Sequence, residues 1–358
     1  MKIEDIPSTV LQEFRRGVVI PAMPLALDAD RKFDRRRQRA LARYYIEAGA
    51  GGIAVGVHST QFEIREPGID LLRPVLELVS RAIDDHCANR NRQVLKIAGV
   101  CGKTEQAVGE AELARGLGYH AGLVSLAAMA TADVPELIAH CRAMAAVMPI
   151  LGFYLQPATG GRLLPYNFWR EFAGLDNVLG VKMAPFNRYQ TLDVVRGVCD
   201  AGRHEQVTLY TGNDDAIVTD LLTPFRIRTA SGTVTARIVG GLLGHWAVWT
   251  KPAVELLDEV RAVRDSNAPI APEMLTRAAE VTDCNAVFFD AANAYAGCIP
   301  GIHEVLRRQG LLEGTWCLNP AEKLSPGQAQ EIDRVYAHYP HLNDDAFVRE
   351  HLDEWLAD

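Results

Sequence analysis

Short runs rich in valine, isoleucine and leucine alternate along this chain with longer stretches in which apolar residues recur every three or four positions. The first pattern fits strands buried on both faces of a parallel sheet, and the second fits helices that cover it. Eight runs qualify as strands, at 18–21, 53–57, 95–100, 121–126, 150–155, 178–183, 208–212 and 237–242. Between and after them lie helix candidates at 34–48, 69–87, 104–117, 134–147, 166–172, 189–200, 215–222 and 246–264. In the first of these, Leu41, Tyr44, Tyr45 and Ala48 form one stripe, with Asp34 as N-cap.

The strands recur at roughly one βα unit each, about 30 residues. Eight strands each followed by a helix argue for a closed (β/α)8 TIM barrel over an open sheet. One connection, 223–235, reads as an elaborated loop or hairpin turning at Ser231-Gly232. Further helical segments at 272–282, 286–296, 301–309, 327–337 and 344–356 exceed what a bare barrel needs. The expected organisation is an N-terminal extension at 1–16, a barrel at 17–265 and a C-terminal helical appendage at 266–358.

Composition narrows the function classes. The first seventeen residues mix acids and bases without an apolar run, and no later window offers a membrane-spanning stretch, so a soluble, cytoplasmic protein is expected. A formal net charge of −8 argues against general nucleic-acid binding. Arg35-Arg36-Arg37 is the strongest local basic run, and a solvated helix face explains it. The seven cysteines are scattered, with no Cys-x-x-Cys pair to hold zinc or carry redox chemistry. Neither a metal nor a cofactor is expected.

Lysine is scarce, which makes amine chemistry tractable: the candidates are Lys2, Lys32, Lys96, Lys103, Lys182, Lys251 and Lys323. Only Lys182 falls inside an apolar strand toward its C-terminal end, the face on which barrels build active sites. Burial lowers the pKa of an amine and makes its neutral, nucleophilic form accessible. A structural lysine balanced by an interior carboxylate explains the strand equally well at this point. Tyr154, at the end of the preceding strand, is a candidate for proton transfer, although a core tyrosine is a competing explanation.

Other strand ends carry polar or small residues. His58, Ser59 and Thr60 follow the second strand, where they could hold a carboxylate or merely cap a helix. Gly212 and Gly241, at the end of the seventh strand and in the eighth, would let the backbone approach a ligand closely, although tight turns explain both stretches almost as well. None of these stretches has the spacing of a Walker loop or a dinucleotide fingerprint.

Tyr154-x-x-Pro157 and Gly180-Val181-Lys182, at their mutual interval, resemble motifs of the dihydrodipicolinate synthase and N-acetylneuraminate lyase superfamily of class I aldolases. The Gly212-Asn213-Asp214-Asp215 turn, the glycine run around Gly241 and the segment Asn293 to Gly301 are similar to the same superfamily. The resemblance implies that Lys182 forms an imine with a 2-oxo acid, that Tyr154 serves the proton transfers, and that the protein is a homo-oligomer, tetramer or dimer. His58 stands where that family has a hydroxyl, Leu126-Ala127-Ala128-Met129 where the synthases carry a tyrosine pair, and Thr159 where they carry a carboxylate-binding arginine. Arg162 is the expected substitute for that arginine. These departures favour a lyase, dehydratase or synthase acting on pyruvate or another 2-oxo acid over dihydrodipicolinate synthesis itself. Two alternatives stay open: a regulatory barrel that keeps 2-oxo acid binding, and a metal- or flavin-dependent barrel supported by the fold alone.

Overall fold

The computed structural model describes residues 1–90, 92–266 and 269–357. Of the expected appendage, residues 267, 268 and 358 therefore lie outside the described residues. In chain order the first half carries helix α1 (Ser8–Arg16), β1 (Val19–Pro21), α2 (Arg35–Ala48), β2 (Gly52–Val55), α3 (Leu72–Asn89), β3 (Leu95–Val100), α4 (Thr104–Gly116), β4 (Ala121–Val124), α5 (Val134–Ala145) and β5 (Ile150–Leu155). There follow α6 (Tyr166–Ala173), β6 (Val178–Ala184), α7 (Arg188–Asp200), β7 (Thr208–Thr211), α8 (Ile217–Leu222), the strands β8 (Phe225–Thr229), β9 (Gly232–Ala236) and β10 (Ile238–Leu243), and α9 (Thr250–Ser266). The C-terminal helices are α10 (Pro272–Phe288), α11 (Cys298–Arg308), α12 (Gln328–His338) and α13 (Asp345–Leu356).

The large sheet has the hydrogen-bonded order β1-β10-β7-β6-β5-β4-β3-β2. A parallel bridge between Ala22 and Ala54, just beyond β1 and within β2, joins its two ends. The result is an eight-stranded parallel barrel with alternating helices, followed by C-terminal helices. Strands β8 and β9 form the antiparallel hairpin expected in the seventh connection, with Thr229 paired to Gly232, so its turn is Ala230-Ser231, one residue earlier than expected.

The chain divides into two compact units, Met1–Val18 with Leu95–Leu242, and Val19–Val94 with Leu243–Asp358. In the first unit, β3 to β7 pair in sequence, α4 to α7 connect them and α8 follows β7. Helix α1 is an addition to what the sequence led us to expect: only Val10 and Phe14 are buried along it. Phe14 stacks on Tyr210 with ring centroids 4.7 Å apart, and the Tyr210 hydroxyl donates to the Phe14 carbonyl at 2.7 Å while accepting from Val18 N at 3.0 Å.

In the second unit, Asp34 caps α2 by accepting from Arg37 N at 3.0 Å, as the sequence indicates. Its stripe of Leu41, Tyr44, Tyr45 and Ala48 is buried. Two expected helices, 272–282 and 286–296, are instead one helix, α10, that continues to Phe288. The chain then turns through three non-glycine residues of positive φ, Asp290, Ala294 and Tyr295, which end any regular helix there. Among the described residues, no helix is long and apolar enough to cross a membrane.

Candidate active site

Every residue of β6 is buried, and its two-residue alternation puts Gly180, Lys182 and Ala184 on one face and Val181 and Met183 on the other. The first face is turned away from the covering helices. At its N-terminal end a Cβ on Gly180 would come within 3.3 Å of the Phe14 ring, so α1 closes that end. Lys182, nearer the C-terminal end, is 7% exposed. It stands level with Phe153 on β5 and with Tyr210 on β7. Its Nζ lies over the Phe153 ring, 4.4 Å from the centroid, close enough for a cation–π contact when charged.

Gly212 forms the wall on the other side. A Cβ there would sit 2.8 Å from Lys182 Cε, 3.1 Å from its Cγ and 2.9 Å from Ala184 Cβ, so any side chain would displace the lysine stem. The expectation of a ligand contact at Gly212 thus acquires a different physical content: the glycine makes room for the lysine itself.

The structure does not bring Tyr154 to Lys182. Register pairs Tyr154 with Met183, on the opposite face of the sheet from Lys182 and Phe153. Its ring packs against Trp169 of α6 at 5.3 Å, and its hydroxyl accepts from Leu164 N at 3.3 Å. Gly152, two residues earlier, faces the same helix, since a Cβ there would meet Phe172 at 2.8 Å and Trp169 at 3.0 Å. Burial, with a smaller contribution from Asp193, raises the phenol's pKa above its ordinary value. The aromatic beside the amine is Phe153, a residue that the sequence reading passed over.

A buried polar network holds the wall in place. Asp220, on α8 and fully buried, accepts from Thr211 Oγ1 at 2.6 Å and from Asn213 Nδ2 at 2.9 Å, the two residues that flank Gly212. Arg188, at the start of α7, pairs with the other oxygen of the same carboxylate. Asn213 Oδ1 accepts from Phe186 N at 3.1 Å, and Asn213 Nδ2 also reaches Thr191 Oγ1 at 3.1 Å. Gly212 N donates to Met183 O at 2.6 Å. One carboxylate therefore ties the end of β7 to the segment that follows β6.

The remaining candidates are largely engaged in the fold. Arg162 donates to the carbonyls of Met129 and of Ala132, the latter at 3.0 Å, and so braces the loop after β4. Gly241 N donates to Val18 O at 3.3 Å. In the second unit, the Ser59 hydroxyl donates to Ala22 O and the Thr60 hydroxyl to Met23 O, both at 2.7 Å. Thr60 Oγ1 also accepts from Gly56 N at 3.0 Å and Val57 N at 3.3 Å, a capping role. A carboxylate needs donors, so neither hydroxyl could bind one without surrendering its carbonyl. His58 is partly exposed, with its ring 5.9 Å from that of Phe62. Among the described residues, no group of three or more His, Cys, Asp or Glu side chains could hold a metal ion.

A parallel α/β barrel with one lysine buried toward the end of its sixth strand, against glycine on one side and an aromatic ring on the other, defines an amine-bearing barrel protein. The chain belongs to the dihydrodipicolinate synthetase family, which it matches over residues 15–243. That family uses Schiff-base chemistry on pyruvate. No curated protein sequence matches the chain. Among solved structures, it is similar to a chloride-inhibited dihydrodipicolinate synthase from Acinetobacter baumannii complexed with pyruvate, at 16% identity and a TM-score of 0.70, covering 90% of this chain and 98% of that one. CdNal from Clostridium difficile, in complex with mannosamine, matches at 15% identity and 0.69, covering 90% and 99%. YagE from E. coli K12, in complex with pyruvate, matches at 18% identity and 0.68, covering 90% and 97%.

Proposed function

We propose that the protein is a class I lyase, aldolase or dehydratase in which Lys182 forms an imine with pyruvate or another 2-oxo acid. The observation that carries this reading is the buried Lys182 amine, on the face of β6 turned from the helices, in a chain of this family. Its neutral form adds to the ketone carbon, and the carbinolamine loses water to give an iminium. The iminium then accepts the electron pair of a breaking carbon–carbon bond, or acidifies C3 so that a β-leaving group departs. Phe153 supports the cationic intermediate through its ring face but carries no proton.

Proton transfer then falls to a group other than Tyr154. Val124 pairs with Gly152, so the next residue, Ser125, stands level with Phe153 and hence with Lys182. Ser125 is buried, and its Oγ accepts only a long bond from Ala127 N at 3.5 Å among the bonds resolved for it. Its hydroxyl is suited to donate to the carbinolamine oxygen. The pyruvate complexes of the Acinetobacter baumannii synthase and of YagE support a 2-oxo acid as the ligand.

Two variants and a substrate screen test this reading. Tyr154→Phe should keep kcat/KM within about threefold of the parent, whereas loss of a general acid-base group costs roughly 100-fold or more. A loss of that size would restore Tyr154 to the chemistry. Gly212→Ala should lower kcat about 100-fold through displacement of the amine, with the far-ultraviolet circular dichroism unchanged. Unaltered turnover would mean that the wall is dispensable. A panel of substituted 2-oxo acids, assayed for pyruvate release, should yield at least one substrate.

The phenyl ring at the amine favours one rival, a regulatory barrel that retains 2-oxo acid binding. Saturable binding across the panel with no product from any member would decide for that rival.

A further inference from the structure

In the first unit, Lys182 on β6 has β5 and then β4 on one side and β7 on the other. The loops that follow these four strands contain a single cation, Arg162. It is consumed by the fold, because both ends of its fork donate to the carbonyls of Met129 and Ala132 and its Nε is buried. Arg188, which opens α7, is likewise committed to Asp220. The ionisable residues of the loop after β7 are Asp214 and Asp215, which bring no positive charge. Lys103 is exposed after β3, three strands from β6.

What the loops after β4 and β5 turn outward is apolar. Beyond Ser125, which stands level with Lys182, the chain enters a 3-10 turn, Ala127–Met129, in which Ala127 and Ala128 are exposed. The Arg162 bonds hold this turn beside the second loop, where the next residue, Leu163, is 61% exposed. Leu164 N donates to the Tyr154 hydroxyl at 3.3 Å, so this stretch is anchored at the end of β5. One exposed leucine needs no explanation, but an apolar rim beside a buried amine and the Phe153 ring has the make-up of a ligand site.

We propose that the 2-oxo acid taken by this protein carries an uncharged, apolar substituent beyond C3, an aryl or alkyl group, which packs against Leu163 and the Ala127–Met129 turn. This substrate class rests on the imine reading of Lys182. A phosphate or second carboxylate at that end of the molecule would lose its water without gaining a partner, since the only cation of these loops is spent on carbonyls. An aryl or alkyl group gains from covering Leu163 and loses nothing.

The test is borohydride labelling of Lys182 in the full chain, read as the concentration that gives half the maximal rate, with four 2-oxo acids that differ beyond C3. They are pyruvate, 2-oxo-4-phenylbutanoate, the dianionic 2-oxoglutarate and the polyhydroxylated 2-oxo-3-deoxygluconate. The phenyl compound should label at a concentration at least about tenfold below those of the last two. Leu163→Ser, at an exposed position, should raise that concentration about fivefold while leaving the value for pyruvate unchanged, which a general structural defect would not do. Ala128→Lys should lower the value for 2-oxoglutarate by supplying the missing cation. With pyruvate still labelling Lys182, equal or tighter use of either polar acid, or a phenyl preference untouched by Leu163→Ser, would overturn the apolar assignment and leave the imine standing. Failure of every acid to label Lys182 would overturn both.

Discussion

Lys182→Ala is expected to lower the turnover of any accepted 2-oxo acid by about 10⁴-fold or more, to the background of the solution reaction. The size follows from the mechanism. Without the amine there is no iminium, and no other group on that face of the sheet can replace it as an electron sink. Lys96 is also buried in a strand, but as the second residue of β3 it lies at the strand's N-terminal end. Lys182→Arg should be almost as inactive, because guanidinium stays protonated and does not add to a ketone. Activity is measured as pyruvate release, with circular dichroism and the melting temperature confirming that the variants fold. Turnover within tenfold of the parent would remove the imine from the account.

Asp220→Ala is expected to be the most destabilising single change near the site, by about 3–5 kcal/mol in urea-induced unfolding. The substitution takes away one carboxylate but strands three donors: the Thr211 hydroxyl, the Asn213 amide and the Arg188 guanidinium. Burial decides the magnitude, since Asp220 is fully buried and water cannot take over its role. Asp220→Asn keeps an acceptor for some of these donors, so its cost should be nearer 1–3 kcal/mol. A loss below about 1 kcal/mol for the alanine variant would mean that the network contributes little. Because Thr211 and Asn213 flank Gly212, turnover should fall even where the Asp220→Asn protein is fully folded.

Much of the fold is legible in the chain because the elements that build it are strongly patterned. Strands β3 and β5 begin and end where the apolar runs do, and Asp34 caps α2 as its position before the stripe indicates. Helix α1 escapes because two buried residues one turn apart, Val10 and Phe14, make too short a stripe to detect. The end of α10 escapes for another reason. The left-handed residues that follow it are Asp290, Ala294 and Tyr295, where a sequence argument looks for glycine.

The site is legible in part. Lys182 stands out because a lysine inside an apolar strand is conspicuous. The face taken by Tyr154 is another matter: Phe153 and Tyr154 are adjacent aromatics, and a one-residue difference in register exchanges which of them meets the amine. Only the pairing of β5 with β6 decides between them. The Asp220 network joins residues 32 positions apart in the case of Arg188, so no local pattern announces it. Ser59 and Thr60 illustrate the converse, hydroxyls that look like ligand groups in sequence but are engaged by the carbonyls after β1.

The central claim is that Lys182 forms an imine, and borohydride reduction in the presence of pyruvate tests it most directly. The protein is incubated with pyruvate, reduced, digested and analysed by mass spectrometry. The account predicts a single stable adduct with the mass of a reduced pyruvate imine, on the peptide that contains Lys182, absent without pyruvate and absent from Lys182→Ala. The same treatment across other 2-oxo acids should label the same peptide. An unlabelled Lys182 peptide throughout the panel, or an adduct on Lys96 or another lysine instead, would contradict it.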